Sequence, residues 1–451
     1  MPEKGPHFVA IIGRAIAGSV CAEILADHGI RVAVIEQNRR PYGKIEDGLP
    51  RWHVEQRKQE YGRIDVRLKK LGVYFIPSTK LGRDLDFQDL CNKWGFSAVI
   101  LANGACRDRD LGVPGADKFV DKGLIYQNPF IRWYNHKNEK GYTGPQYDVP
   151  DETLVVGGGL ASIDVVKVVQ LEIYERSMKA RGIQTDMHEL EKKGVPAVCK
   201  AHGVQPEDLG VKGCLLVYRR REQDMPLTQP PENATPEQIA KAEQIRQKML
   251  HMAREKYLFR VQDRRLAVGL VLKDGRLAGW KMVETKIEGR RAEPIPGSEY
   301  ELRTPLVISS IGSVPEIIPG VAMKGECYTF TNEALPQYLG CDRVFGVGNV
   351  VTGRGNIRTS LIHSQKVTTQ LIENYIGVGN ASGDFSALYA SAEARAAGQA
   401  KTVEEHVQTL PILSESAVST IEQRIRTLQE RVGYTSDYDS WIAKVTPPDL
   451  E

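Results

Sequence analysis

Residues 153–166 read TLVVGGGLASIDVV. An apolar, β-branched run meets three glycines and passes straight into a helix-forming stretch. That is the pattern of a buried parallel strand turning tightly into a helix over a phosphate. The chain makes the same move near its start, where residues 8–20 read FVAIIGRAIAGSV. Two such turns in one chain call for two dinucleotides, and the rest of the sequence is read around them.

The first turn lies in a complete strand–turn–helix–strand unit: HFVAII, GRAIAG, SVCAEILADHG and IRVAVIE over residues 7–36. A dinucleotide turn places small residues where the chain bends, where the backbone approaches the pyrophosphate, and where helix packs on strand. Those positions are Gly13, Ala15 and Gly18. Glu36 ends the second strand, where a carboxylate accepts from ribose hydroxyls. Ala15 is a departure, because its methyl group pushes a phosphate away or demands a shift of the loop. Arg14 is also unusual, although its charge suits a pyrophosphate.

In the second turn the three positions are Gly157, Gly159 and Ser162. The helix N-terminus carries partial positive charge, so a pyrophosphate belongs on residues 159–162. The next strand, CLLVYRRRE, ends in Arg219, Arg220 and Arg221. A carboxylate there favours NAD; arginines offer forked, charged donors to a 2′-phosphate. The expectation is NADPH over NADH. Residues 170–212 read as an extra helical excursion between the turn and that strand.

Further strands are expected at SAVILAN (97–103), LVISSIG (306–312) and VFGVGN (344–349), and a hairpin about Asp274-Gly275 within residues 268–287. Thr235 and Pro236 open a helix over 235–256. Residues 415–432 carry Val418, Ile421, Ile425 and Leu428 on one stripe, to be docked on the chain's own domain or on a partner.

The 451 residues suit two or three domains, and 41% hydrophobic with 26% charged residues describes an ordinary globular chain. A net charge of +3 is too weak to argue for nucleic acid but suits an acidic protein partner. No apolar run is long enough for a membrane span, and MPEKGPHFVAIIG enters a strand without a signal-peptide pattern. The seven cysteines form no CxxC or CxxxxC pair, which argues against zinc, iron–sulfur and redox-disulfide sites and for a reducing cytoplasm. No metal site is expected.

Taken together, IIGRAIAG, RPYGKIEDGLP, LGRDLDFQDL, VILANGACRDRDLGVPG, VVGGGLASIDVVK, VYRRRE, LVISSIG and FGVGNVVTGRGNIRTS resemble, in order and spacing, the adrenodoxin reductase family. These are FAD-containing NADPH–ferredoxin reductases, with the glutamate synthase small subunit a near relative. The resemblance covers about residues 7–378. It implies an α/β fold of two Rossmann-like dinucleotide-binding domains, the NADP domain inserted into the FAD domain, with a helical C-terminal tail. The expected boundaries are 1–148 and 321–380 for the FAD domain, 149–320 for the NADP domain, and 381–451 for the tail.

By that resemblance, Gly13, Ala15, Gly18 and Glu36 hold the FAD adenosine end. Lys44 and Leu81 touch the flavin, and Gly348, Asn349, Gly355, Asn356 and Ile357 close over its ring. NADP takes Gly158, Gly159, Leu160, Ala161, Arg219 and Arg220, with Gly355 near the nicotinamide. His53, His363 and Arg358 are further residues to look for near the flavin. Three departures stand out: Lys44 replaces an apolar residue, Glu46 replaces an arginine, and Asn349 stands where the glutamate synthase relatives carry Asp. The family's acidic residue downstream of the arginines has no clear match, Glu232 being only nearby.

The implied chemistry is hydride transfer from NADPH to FAD, needing no side-chain acid or base, then single electrons to a ferredoxin-like carrier. The alternatives are an electron-input subunit of a larger redox complex and a flavin-free NADP-binding scaffold. A disulfide reductase is disfavoured because no cysteine pair follows Glu36.

Overall fold

The structure, a computed structural model, describes residues 7–228, 234–289, 291–331, 335–352 and 386–448. Two five-stranded parallel sheets organise it. The first runs in the order Val344–Gly346, Ala98–Leu101, Phe8–Ile12, Arg31–Ile35, Val73–Ile76. The second runs Leu124–Tyr126, Val307–Ser310, Leu154–Gly157, Leu215–Val217, Arg260–Gln262. In each, the strand that opens a glycine turn lies at the centre, Phe8–Ile12 in one and Leu154–Gly157 in the other. Strands buried on both faces must be apolar throughout; all five residues of Phe8–Ile12 are buried.

The segments that leave the two sheets toward each other are stitched together. Arg107–Asp108 pairs antiparallel with Ser313–Val314, and the Arg109 N–H donates to the Gly312 carbonyl at 3.0 Å. The two sheets are therefore joined just beyond the carboxyl ends of Ala98–Leu101 and Val307–Ser310, the end at which parallel sheets place their ligands.

The expected hairpin forms between Arg265–Lys273 and Arg276–Glu288, turning at Asp274 and Gly275, both with positive φ. The helix Pro236–Tyr257 starts as expected, with Thr235 and Gln238 making a reciprocal capping box. The excursion between the second turn and its next strand contains the helices Met187–Lys193 and Val195–Ala201.

The C-terminal helices complete the first sheet. Ser386–Gln408 lays Ala396, Ala400, Val403 and Val407 into the same core as Val20, Cys21 and Leu25 of the first crossover helix. In Glu415–Val432 the stripe Val418, Ile421, Ile425 and Leu428 is buried with Leu90, Phe96 and Ile76. Tyr438, Trp441 and Val445 of the last helix enter the core on the other face, beside Phe75. The tail so wraps the edge strand Val73–Ile76, and the Gln429 amide donates to the Phe75 carbonyl at 2.8 Å. A covered edge cannot recruit a foreign strand.

Candidate nucleotide-binding site

The first turn is shaped by close backbone approach. Gly13 has φ +86°, and a Cβ there would lie 2.7 Å from the Asn103 Cα. A Cβ on Gly18 would come within 2.0 Å of the Gly13 carbonyl oxygen, so the helix can pack against the turn only with glycine. Ala15 is the N-cap of the helix Ile16–Asp27, which has no side-chain cap and no acidic residue in its first turn. Its leading N–H groups are left to a ligand or water. The Ala15 methyl group lies against Gly43, where a Cβ would come within 2.9 Å of it.

Glu36 ends its strand almost buried and accepts from the Asn38 N–H at 2.8 Å. Arg14 is buried beside it, with Nε 3.8 Å from Glu36 Oε2 and the guanidinium carbon 3.9 Å above the Phe75 ring. Burial pulls the Arg14 pKa down to about 10 against the pull of Glu36, and burial raises that of Glu36 against the pull of Arg14. All three guanidinium nitrogens are buried without a hydrogen-bond partner among the described residues.

Gly348 follows the strand Val344–Gly346 with φ +79°, and a Cβ there would lie 2.7 Å from the Ala17 methyl carbon. Its N–H donates to Gln399 Oε1 at 2.7 Å. Next to it the Asn349 Oδ1, and across the first turn the Asn103 Oδ1, are buried acceptors with no partner among the described residues. Leu81 is 4% exposed. Gly355, Asn356, Ile357, Arg358, His363 and Glu232 lie outside the described residues. Glycine approaches, an open helix N-terminus and two orphaned acceptors all fit a flavin dinucleotide at this turn.

At the second turn the helix Leu160–Ala180 starts at Gly159, again without a side-chain cap or an acidic first turn. Nothing lies within 4 Å of a Cβ on Gly159, whereas one on Gly158 would meet the Tyr218 ring at 2.4 Å. Leu160 is buried and Ala161 half-buried. Ser162, in place of the third glycine, donates to the Ser310 carbonyl at 2.8 Å and ties the helix to the neighbouring strand. Arg219 is exposed. Arg221 forms a two-pronged pair with Asp224, with both contacts at 2.9 Å. Arg220 stands 3.5 Å from the same carboxylate and has its Nε buried without a hydrogen bond. Asp224, which the sequence reading did not single out, thus takes up Arg221 through two hydrogen bonds and holds Arg220 in a longer ion pair, leaving Arg219 exposed.

Lys44 opens the short helix Lys44–Asp47. Its Nζ donates to Ser313 Oγ at 2.9 Å, and the Asn128 amide donates to the same oxygen at 3.2 Å. The side chain is open to solvent but deep in protein surroundings, which lower its pKa while Asp108 raises it. Burial pushes Asp108 up to about 6, against hydrogen bonds from Asn128 and the charge of Lys44.

His53 is buried and accepts at Nε2 from the Trp52 indole N–H, 2.9 Å away. Because indole can only donate, a neutral His53 carries its proton on Nδ1. Burial, then Lys167 and Arg57, push its pKa well down and hold it neutral.

His136 joins the two halves, with Nε2 3.1 Å from Asp47 and Nδ1 2.5 Å from Glu139. Burial opposes its charge, but the two carboxylates win and raise its pKa to about 9. A pKa raised on folding contributes stability below about pH 6.5, the ordinary histidine value. That contribution fades as pH rises through about 9. We expect roughly 1–2 kcal/mol of stability to be lost across this window in urea unfolding. His136→Gln should flatten the dependence.

Residues 7–199 match the pyridine nucleotide-disulphide oxidoreductase family. An NADPH-Fe(3+) oxidoreductase subunit beta from Geobacter sulfurreducens is 28% identical over 70% of this chain and 38% of its own length. The mitochondrial NADPH:adrenodoxin oxidoreductase of Arabidopsis thaliana is 28% identical over 36% of this chain and 33% of its own. The chain therefore spans well under half of these relatives. Mycobacterium tuberculosis FprA in complex with NADPH shares the fold, with a TM-score of 0.65, 16% identity, and coverage of 94% of this chain and 91% of that one. The two curated relatives are NADPH oxidoreductases by name, in keeping with the resemblance drawn from the motifs, and FprA shares the fold. Among the described residues no cluster suits a metal ion, no helix is long and apolar enough to cross a membrane, and all seven cysteines are free.

Proposed function

We propose that this protein is an NADPH-dependent flavoprotein that reduces bound FAD and hands electrons singly to a ferredoxin-like carrier. The observation that carries this reading is the pair of uncapped glycine turns on two parallel sheets that are joined just past their carboxyl ends. Gly13, Ala15 and Gly18 would receive the FAD pyrophosphate, Glu36 the adenosine ribose, and Asn349 and Asn103 the flavin end. Gly158, Gly159, Leu160 and Ala161 would receive the NADP pyrophosphate, and Arg219 and Arg220 its 2′-phosphate.

When bound, the flavin supplies a hydride acceptor that can release electrons one at a time. The chain's own work is to orient the two rings and to keep water from them. Neutral His53, fixed through Trp52, holds a proton at Nδ1 and offers no proton from Nε2. Electron delivery is tested with NADPH, a plant-type [2Fe–2S] ferredoxin and cytochrome c. Cytochrome reduction that requires both protein and ferredoxin supports the reading; a rate unaffected by ferredoxin overturns its last step.

A second reading makes the chain the electron-input subunit of a larger complex. It is favoured by the Geobacter relative, which is named as a subunit. A second polypeptide that stays bound through gel filtration would select it.

A further inference from the structure

We infer that Lys44, with Asp108 as its counter-charge, sets the electrostatics of the crevice where the two nucleotide rings meet, and that its ammonium stabilises the negative charge a flavin gains on reduction. The inference rests on the flavoprotein reading and deepens it.

Three placements carry it. Lys44 follows Gly43, whose backbone is a methyl's width from Ala15 in the first turn. Its Nζ is held by Ser313, just past the carboxyl end of the strand Val307–Ser310 in the second sheet. Asp108 lies just past the strand Ala98–Leu101 in the first sheet, and its segment pairs directly with Ser313–Val314. The cation therefore stands at the seam of the two sheets, one residue from the close approach of Gly43 to the first turn, and is accessible to solvent.

Asn128 organises the seam. Its backbone N–H donates to Asp108 at 3.2 Å, and its amide donates to the Cys106 carbonyl at 2.9 Å and to Ser313 at 3.2 Å. Ser313 Oγ is thus left to accept from Lys44. No ion pair within 4 Å neutralises Lys44 among the described residues, so its charge is available to a ligand. Protein surroundings strengthen such a charge relative to water.

The electron balance gives that charge a task. A hydride brings two electrons and one proton from the dihydronicotinamide to the flavin, which turns from neutral to singly negative; the nicotinamide turns positive and leaves. A fixed cation beside the flavin favours the reduced form, and a carboxylate next to that cation counteracts it. Lys44 and Asp108 should therefore move the flavin potential in opposite directions.

The test uses the purified holoprotein and the variants Lys44→Met, Lys44→Arg and Asp108→Asn. Flavin content and the two-electron midpoint potential are measured against redox dyes. We expect Lys44→Met to lower the reduction equilibrium about tenfold, a fall of about 30 mV. Lys44→Arg should stay close to wild type, and Asp108→Asn should raise the potential. A Lys44→Met protein that keeps its FAD and its potential overturns the inference. Should that variant lose FAD, Asp108→Asn decides: an upward shift supports the inference and no shift overturns it. A wild-type protein that binds no flavin overturns the flavoprotein reading itself; a flavoprotein whose potential ignores both substitutions overturns this inference alone.

Discussion

Replacing Arg219 and Arg220 together by alanine should weaken NADPH binding by roughly 2–4 kcal/mol, about 30- to 700-fold, and leave NADH binding nearly unchanged. The reason is chemical: the two nucleotides differ only by the 2′-phosphate, and charge-assisted bonds to phosphate are among the strongest a side chain makes. Three arginines follow the strand Leu215–Val217, and the structure divides their labour. Arg221 is already satisfied by Asp224 through two contacts at 2.9 Å, so Arg221→Ala should change NADPH affinity far less than the double substitution. Arg219 is exposed, and Arg220 has a buried nitrogen without a partner. Dissociation constants for both nucleotides, measured by calorimetry on each variant, check this. An equal loss for NADPH and NADH would place the 2′-phosphate elsewhere.

The second large effect concerns Arg14 and Glu36. Both are buried, at 1% and 6% exposure, and each is the other's nearest opposite charge. Removing one partner strands the other charge in low dielectric, which typically costs 3–5 kcal/mol. Glu36→Gln should therefore lower stability by about that amount and also lower FAD retention, because the ribose loses its acceptor. Arg14→Met in the Glu36→Gln background should recover much of the stability, since no unpaired charge remains. It should not recover FAD retention. Urea unfolding and bound-flavin absorbance read the two effects separately. Additive losses in the double variant would show that the pair is not coupled.

Local pattern explains what could be read in advance. The two strand–turn–helix units, the hairpin at Asp274-Gly275, and the capped start at Thr235 each depend on residues a few positions apart, and all form where expected. The apolar stripe on Glu415–Val432 announced a buried face, yet not its partner, the core beneath the edge strand Val73–Ile76. The same limit applies to the site. The room for the Ala15 methyl group depends on Gly43, which is distant in sequence. Asp224 sits only a turn past the arginines, but its choice of Arg221 depends on how that loop folds. Gln399, which holds the Gly348 N–H from a helix beyond it, carried no motif at all. The link from Lys44 to Ser313 joins positions 269 residues apart. Charge and periodicity are local properties; the contacts that finish a site between two sheets are not.

The central claim, that one crevice holds a flavin and receives hydride from NADPH, is tested most directly by the visible absorption spectrum of the purified protein, recorded before and after anaerobic addition of NADPH. The account predicts flavin bands that bleach with NADPH and respond much more weakly to the same concentration of NADH. A preparation that stays colourless after incubation with FAD, yet still binds NADPH, would contradict it.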